Sequence, residues 1–347
     1  MKEDKHINCA NGWLRAISLV ALAATPGAAL AELSADEVEA AKNDGAINVY
    51  YCDSSMKDIV ENFGTVYPEI KVTTYLDNCL KVYARYSREA GARRSIADVF
   101  MMTEDVLDQL QADGQLQDYQ PAERDAFPAM AKPEGRNYTL IKTLLYGLTA
   151  NKDVPQPKDW VDFIEPPAEW QNMTIYFDPR TSTSAFNNLV ALEQSLGRET
   201  TEAIFAGMRD AGAELSAGST AGLAKLLSGE KAVTFYVLSN QFQKLKRQGA
   251  DLDFIVPTSG TMSLPFGIAL SAQPSNPAAA KLFVDYMLTE GQTLLVQNDE
   301  FALRNDVGSP EGMPALSDVT FLEYDREQGV ANRDATLEWW QSIMGLR

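Results

Sequence analysis

Apolar and polar positions alternate along this chain in two rhythms. Residues 47–51 form a β-favouring apolar run, after which Met56, Ile59, Val60, Phe63 and Tyr67 recur at spacings of three and four. That pattern predicts a strand followed by an amphipathic helix, which Pro68 ends. Residues 71–76 predict a second strand, 80–90 a second helix and 97–102 a third strand, and a short helix near 35–42, stopped by Asn43, Asp44 and Gly45, precedes them. Three strands alternating with helices predict a parallel, doubly wound sheet, because parallel neighbours need crossover connections.

Residues 143–150 predict another strand, and the prolines at 155, 157, 166 and 167 mark a passage into a second unit. There the pattern restarts: strand 174–177, helices 185–196 and 201–210, strand 214–216, helix 220–228 and strand 232–237. Strands at 252–256 and 266–271 are read as the return crossing, and a helix at 277–296 then packs on the first unit. At about 150 residues per domain the chain accommodates two lobes. They are expected at 32–145 with 264–347, and at 146–263. Two such lobes joined by crossing segments make a hinged cleft, and ligands of open α/β sheets bind at the carboxyl ends of the strands.

Residues 1–31 read as an export signal rather than as structure: Lys2, Lys5 and Arg15 flank an apolar run at 16–24, and Ala29 and Ala31 form a small-x-small cleavage site. Cleavage near Ala31 is expected to leave a soluble periplasmic protein in an oxidising compartment. The whole chain has 347 residues, 30 basic and 48 acidic side chains and one His. Removing the signal takes away His6 and Cys9 and leaves 316 residues with a net charge of −19. Without imidazole, a Ser-His-Asp triad, a Cys-His pair and His-ligated zinc are all excluded. Net negative charge of this size disfavours nucleic acid and anionic membrane as partners. No phosphate-cradling Gly-rich loop, CxxC pair or GxSxG elbow is present, so no catalytic residue is expected.

The candidate ligand residues lie in the loops after the strands. Thr181, Ser182, Thr183 and Ser184 lead into a helix whose apolar face is Phe186, Leu189, Val190 and Leu196. Hydroxyl residues at a helix start leave backbone donors free, and the helix dipole favours an anion there; simple N-capping is the alternative. Ser219, after Gly218, repeats the construction, and Ser239 and Asn240 end a strand of the same lobe. Arg180 adds charge or merely sits beside the cap. In the first lobe, Asp53 with Ser54 and Ser55, Asp77 with Asn78, and Glu104 with Asp105 follow strands one, two and three. These acids either meet a cationic group on the ligand or cap helices in a strongly acidic chain. Tyr51 and Tyr75 are further candidates among the tyrosines there, and Tyr146 and Gly147 at the crossing are others. Trp339 and Trp340 read as packing the tail onto the body. Cys52 and Cys79 each follow a neighbouring strand and are expected to form a disulfide, worth about 3 to 4 kcal/mol in the chain-entropy model; a soft-metal thiol pair is the poorer alternative.

Five stretches occur in the same order in a known family. They are residues 47–55, Ala97-Asp98-Val99-Phe100, 178–184, Ser239-Asn240 and 300–307. In these the chain resembles the ferric-iron-type solute-binding proteins of bacterial ABC importers. The resemblance implies an α/β, two-lobed periplasmic binding protein fold of type II, with two doubly wound sheets joined by hinge strands. It also implies capture of a small solute, no cofactor, no enzymatic activity, a monomer, and delivery to a membrane permease with its ATPase subunits. Iron-binding members carry two adjacent tyrosines after the Ser-Asn pair, where this chain has Gln241, Phe242 and Gln243. Many also use a His in the first loop, where Cys52 to Ser55 stand here. Glu104 keeps a carboxylate after the third strand, with one extra residue before it. The expected ligand is therefore a small anion or zwitterion such as a phosphonate or sugar phosphate. Ferric iron is the first alternative and a carboxylate- or metal-dependent periplasmic hydrolase the second.

Overall fold

The computed structural model describes residues 33–346. The expected export signal, with His6, Cys9 and the cleavage site at Ala31, lies outside the described residues. Ser34 opens α1 (Ala35–Asp44) with a capping box: its hydroxyl accepts the Glu37 N–H while the Glu37 carboxylate accepts the Ser34 N–H. Three strand-and-helix repeats follow, namely β1 (Ala46–Tyr51) with α2 (Lys57–Val66), β2 (Lys71–Leu76) with α3 (Cys79–Gly91), and β3 (Val99–Thr103) with α4 (Glu104–Ala112). The periodic residues of α2 do face inward, since Ile59, Val60 and Phe63 are buried. β1 pairs in parallel with both β2 and β3, as the crossover pattern requires.

The long strand β4 (Thr139–Ala150) has all twelve residues buried. Its first half runs antiparallel to β8 (Ser263–Leu270) and to β9 (Phe301–Ala302), and its second half antiparallel to β7 (Val233–Leu238). β7 and β6 (Glu214–Ser216) flank β5 (Thr174–Phe177) in parallel. The sheet path is β2-β1-β3-β8-β4-β7-β5-β6, so β4 belongs to both halves. On the β5 side lie α5 (Thr183–Leu196), α6 (Arg198–Asp210), α7 (Ser219–Leu227) and α8 (Ser239–Arg247).

Some elements differ from expectation. Residues 252–256 make only isolated bridges to Leu148 and Asn151 rather than a strand. Their side chains are used otherwise: the Phe254 ring occupies the space over Gly147, where a Cβ would come within 2.4 Å of it. Packing against the crossing thus accounts for Gly147. The helix expected at 277–296 is two, α9 (Pro277–Leu288) and α10 (Glu290–Gln297), broken at Thr289, whose φ of −116° and ψ of −95° are not helical. The tail forms α11 (Arg326–Ala331) on α5 and α12 (Arg333–Met344) on α6. Trp340 is buried there against Tyr176 and Phe205, so it packs the tail as expected. The end of the expected first lobe therefore rests on elements of the expected second. Among the described residues no helix is long and apolar enough to cross a membrane.

Cys52 and Cys79 form a disulfide with a Cα–Cα distance of 4.8 Å. It joins the loop after β1 to the start of α3. Replacing both by Ser is expected to lower the unfolding free energy by about 3 kcal/mol, as the loop-closure model gives for a loop of this size. Urea denaturation of both forms measures this, and a loss under about 0.5 kcal/mol would show that the reduced chain is already held together at this edge.

Candidate functional site

Sequence and topology together set two helix starts side by side. Because β5 and β6 are parallel neighbours, α5 and α7 begin at the same edge of the sheet. Thr181 ties the two turns together, its hydroxyl donating to the Ala217 carbonyl at 3.0 Å. Ser182 caps α5 by accepting the Ala185 N–H at 3.3 Å. Its hydroxyl also lies 3.0 Å from that of Ser184, which in turn lies 2.9 Å from the Tyr236 hydroxyl. Among the described residues no acceptor takes the backbone N–H of Thr183 or Ser184, nor those of Ser219, Thr220 and Ala221 at the start of α7. Five free donors at two adjacent helix starts present the kind of geometry that suits an anion. Capping leaves donors over here, because Ser182 satisfies only one of the first-turn N–H groups.

A third helix start, that of α8, joins them through Gln241, whose amide donates to the Ser219 hydroxyl at 3.1 Å. Asn240 and Gln241 line a cavity of about 640 Å³ together with Asp53, Ser54 and Ser55 of the loop after β1. Asp58, Leu238, Lys244, Arg247 and residues 297–300 complete it. Four of the predicted residues, Asp53, Ser54, Ser55 and Asn240, thus meet in one cavity. Ser239 does not reach it: it is buried, and its hydroxyl accepts the Leu145 N–H of β4 at 3.2 Å. Another cavity of about 630 Å³, lined by Tyr86, Arg93, Asp113 and Gln115 among others, holds none of the predicted residues.

Most of the acids on the opposite edge are already paired. The Asp53 carboxylate accepts from Lys142 Nζ at 2.7 Å and from the Ser55 N–H at 3.0 Å. Lys142, on β4 and fully buried, also reaches Glu300 at 2.8 Å and the Ser55 hydroxyl at 2.9 Å. Burial opposes charge on both carboxyls; Lys142 and Ser55 outweigh it at Asp53, which stays below the usual range, while burial prevails at Glu300 and raises it. Asp77 is taken by the Asn78 N–H and by Lys81, and Asn78 is an exposed cap of α3 that accepts the Leu80 N–H. Asp105 pairs with Arg326 at 3.0 Å. Glu104, at the start of α4, is raised by burial and by neighbouring Asp108. Arg180 is held by Asp178 at 2.7 Å, beside the start of α5. Tyr51 is core, and Tyr75 lies beneath the Arg85 guanidinium at 4.0 Å from its ring centre.

Lys142, Tyr236, Tyr324 and Arg326 were not singled out from the sequence. A lone lysine inside the apolar run Thr139–Ala150 is the one visible signal among them, since a charge is rarely buried unless paired.

A family model for bacterial extracellular solute-binding proteins matches residues 94–327. The chain belongs to this family. The family works with the permease components of ABC transporters and binds small ligands outside the cytoplasmic membrane. This solute-binding protein is 18% identical to iron-bound HitA of Pseudomonas aeruginosa, with 86% of this chain and 99% of that one covered and a TM-score of 0.69. It is 20% identical to AfuA of Actinobacillus pleuropneumoniae, a periplasmic binding protein with fructose-6-phosphate bound, covering 87% and 99% with a TM-score of 0.68. The ferric binding protein of Campylobacter jejuni is likewise 20% identical, covering 86% and 99%, with a TM-score of 0.65. No curated protein sequence matches the chain. The fold is that of the type II periplasmic binding proteins, and its neighbours include the ferric-binding type.

Replacing Lys142 by Met leaves two buried carboxyls without a cation and is expected to cost about 3–5 kcal/mol of stability at neutral pH. Burial and mutual repulsion then raise both folded-state pKa values above the unfolded ones. The loss is therefore full above those raised values and shrinks as pH falls through them. Denaturation midpoints of the variant from pH 7.5 to 4.5, relative to the native chain, measure the trend; a loss independent of pH would show that Lys142 matters as volume rather than as charge.

Proposed function

We propose that this protein is the periplasmic capture component of an ABC importer for a small organic anion, such as a phosphonate, a sugar phosphate or a carboxylic acid. The observation that carries the reading is the pair of helix starts with five unclaimed backbone N–H groups, the α7 start being tied through Ser219 to Gln241 in the wall of the cavity of about 640 Å³. Free donors at fixed positions cost no reorganisation when an anion arrives, and dipoles of two helices add. Lys244 supplies a cation at the cavity wall. The lobes hinge on β4 and the segment near 256–262, and closure brings the loop after β1 over the ligand. Release to the permease follows from docking of the closed form.

An amine-bearing ligand is supported less well than the anion, because Asp53, Asp77, Asp105 and Glu300 already have partners in the chain. Ferric iron is supported less well again, since Gln241 and Phe242 offer no phenolate and the chain from residue 32 has no imidazole. Among the described residues no three acidic, Cys or His side chains are placed to hold a metal ion. The absence of His also speaks against a hydrolase.

Thermal unfolding of the protein with phosphonates, sugar phosphates, inorganic phosphate, carboxylates, amines and ferric citrate tests the reading. A ligand that binds only the native state raises the midpoint, by about 2.7 kcal/mol of added stability at a hundredfold excess over Kd. Shifts with organic anions are the expected result. A shift with ferric iron or with simple amines alone would overturn it.

A further inference from the structure

The first lobe has a cavity at the end of its strands that faces away from the cleft. α3 and α4 start just after β2 and β3, at the edge that carries Asn78 and Glu104, and α3 then runs 13 residues, about 20 Å, to the opposite edge. Where the two helices end, they and Ala272 enclose the cavity of about 630 Å³. Its walls are tied together. Tyr86, 2% exposed, donates its hydroxyl proton to Gln115 at 3.3 Å and lies 3.1 Å from the Ser271 hydroxyl, so α3, the turn after α4 and the end of β8 meet at one point. The Ala272 N–H donates to the Gln115 carbonyl at 2.8 Å, and the Tyr83 hydroxyl donates to Asp113 at 2.7 Å.

One residue at the rim sits there against backbone preference. Both helices end in the same turn, in which a left-handed residue and its successor donate their N–H groups back to the last turn. Gly114 and Gln115 bond the carbonyls of Gln111 and Leu110 at 2.9 Å each, while Arg93 and Arg94 bond those of Ala90 and Glu89 at 2.9 and 2.8 Å. The left-handed place is thus filled by glycine in α4, at φ 68°, and by arginine in α3, at φ 53°. The other non-glycine residues of positive φ among the described residues are Asn172 and Asp299, types that tolerate that region; an arginine there is strained. Nothing within the fold offsets the strain, because the Arg93 side chain is exposed and makes no hydrogen bond or ion pair among the described residues. Strain kept without an internal partner points to a role for the side chain outside the fold.

The guanidinium shares the cavity with Ser87, Ser95 and Gln273, whose hydroxyl and amide groups both donate and accept. The one carboxylate in the lining, Asp113, is already taken by Tyr83 and by the Gln109 amide at 3.1 Å. An unpaired cation among neutral groups of both kinds matches a molecule with one acidic group and several hydroxyls. We propose that this cavity is a second binding site, for a sugar acid or sugar phosphate, with the acidic group on Arg93 and the hydroxyls on Ser87, Ser95 and Gln273. It shares no lining residue with the cleft cavity, and it does not depend on the anion reading above.

Hydrogen–deuterium exchange of the protein with gluconate and with glucose 6-phosphate, read peptide by peptide, tests the proposal, with glucose and glucosamine as controls. Slowed exchange across 87–96 and 113–117 with both acids and with neither control is the expected result. Arg93→Gly should raise the concentration needed for that protection by about tenfold or more, as loss of a charge-assisted hydrogen bond does, and Arg93→Lys should raise it less. Arg93→Gly should at the same time raise the thermal midpoint by about 1 to 2 °C, because glycine adopts this backbone without strain. A lower midpoint in Arg93→Gly would show that the arginine serves the fold itself, and that overturns the proposal. Protection confined to 53–55, 181–186 or 219–221 overturns it while leaving the anion reading standing. Equal protection by glucose, or none at 87–96 from either acid, overturns it as well, whereas failure of every anion in the thermal panel bears on the cleft alone.

Discussion

The structure depends on one strand that two half-sheets must share. β4 has no solvent-facing residue, so every polar group on it has to be satisfied from elsewhere in the chain or by a ligand. Lys142 and Tyr146 are four residues apart, which sets them on one face of the strand about 13 Å from each other. Lys142 is satisfied within the chain by Asp53, Glu300 and Ser55; the Tyr146 hydroxyl has no partner among the described residues. The lysine spends the acids of the first loop on holding that loop to the sheet, whereas the tyrosine keeps its hydrogen-bonding capacity unspent.

That division explains why an acidic edge does not make a cation site. Asp53 has the position expected of a ligand residue, at the end of β1 and in the cavity wall, yet its charge is consumed by Lys142 at 2.7 Å. The disulfide and the Asp53–Lys142–Glu300 cluster act on the same loop from two directions, one linking it to α3 and the other to β4 and the turn before β9. A loop held at both ends presents Ser54 and Ser55 at fixed positions, and fixed positions are what let polar contacts discriminate between ligands.

Local pattern was enough to find β1, β2, β3, α2, α5 and β7, because each carries its own periodicity and its own stop signal. It was also enough for the hydroxyl run at the start of α5, where Ser182 caps the helix. It misled at residues 252–256, whose apolar side chains serve the crossing rather than a ladder, and at Thr289, where one continuous apolar pattern hides a break in the helix. The tail was legible only in Trp340. What no local reading reaches is pairing across distance: Lys142 lies 89 residues from Asp53 and 158 from Glu300, and Arg326 lies 221 from Asp105. Those partnerships decide which predicted carboxylates are available, and they exist only once the sheet has brought the segments together.

An anion as the proposed ligand of a chain of formal net charge −18 looks contradictory until the ranges of the two effects are compared. Repulsion from the surface acids is screened over about 8 Å at physiological ionic strength, so it acts mainly on approach. The backbone N–H groups of α5 and α7 act at contact, from fixed positions that need no reorganisation when an anion arrives. Surface charge therefore slows encounter with every anion alike, whereas on the proposed reading the helix starts would hold only an anion whose oxygens meet those donors. Discrimination between anions is left to the side chains that ring the donors, and few of those carry a charge the chain has not already paired.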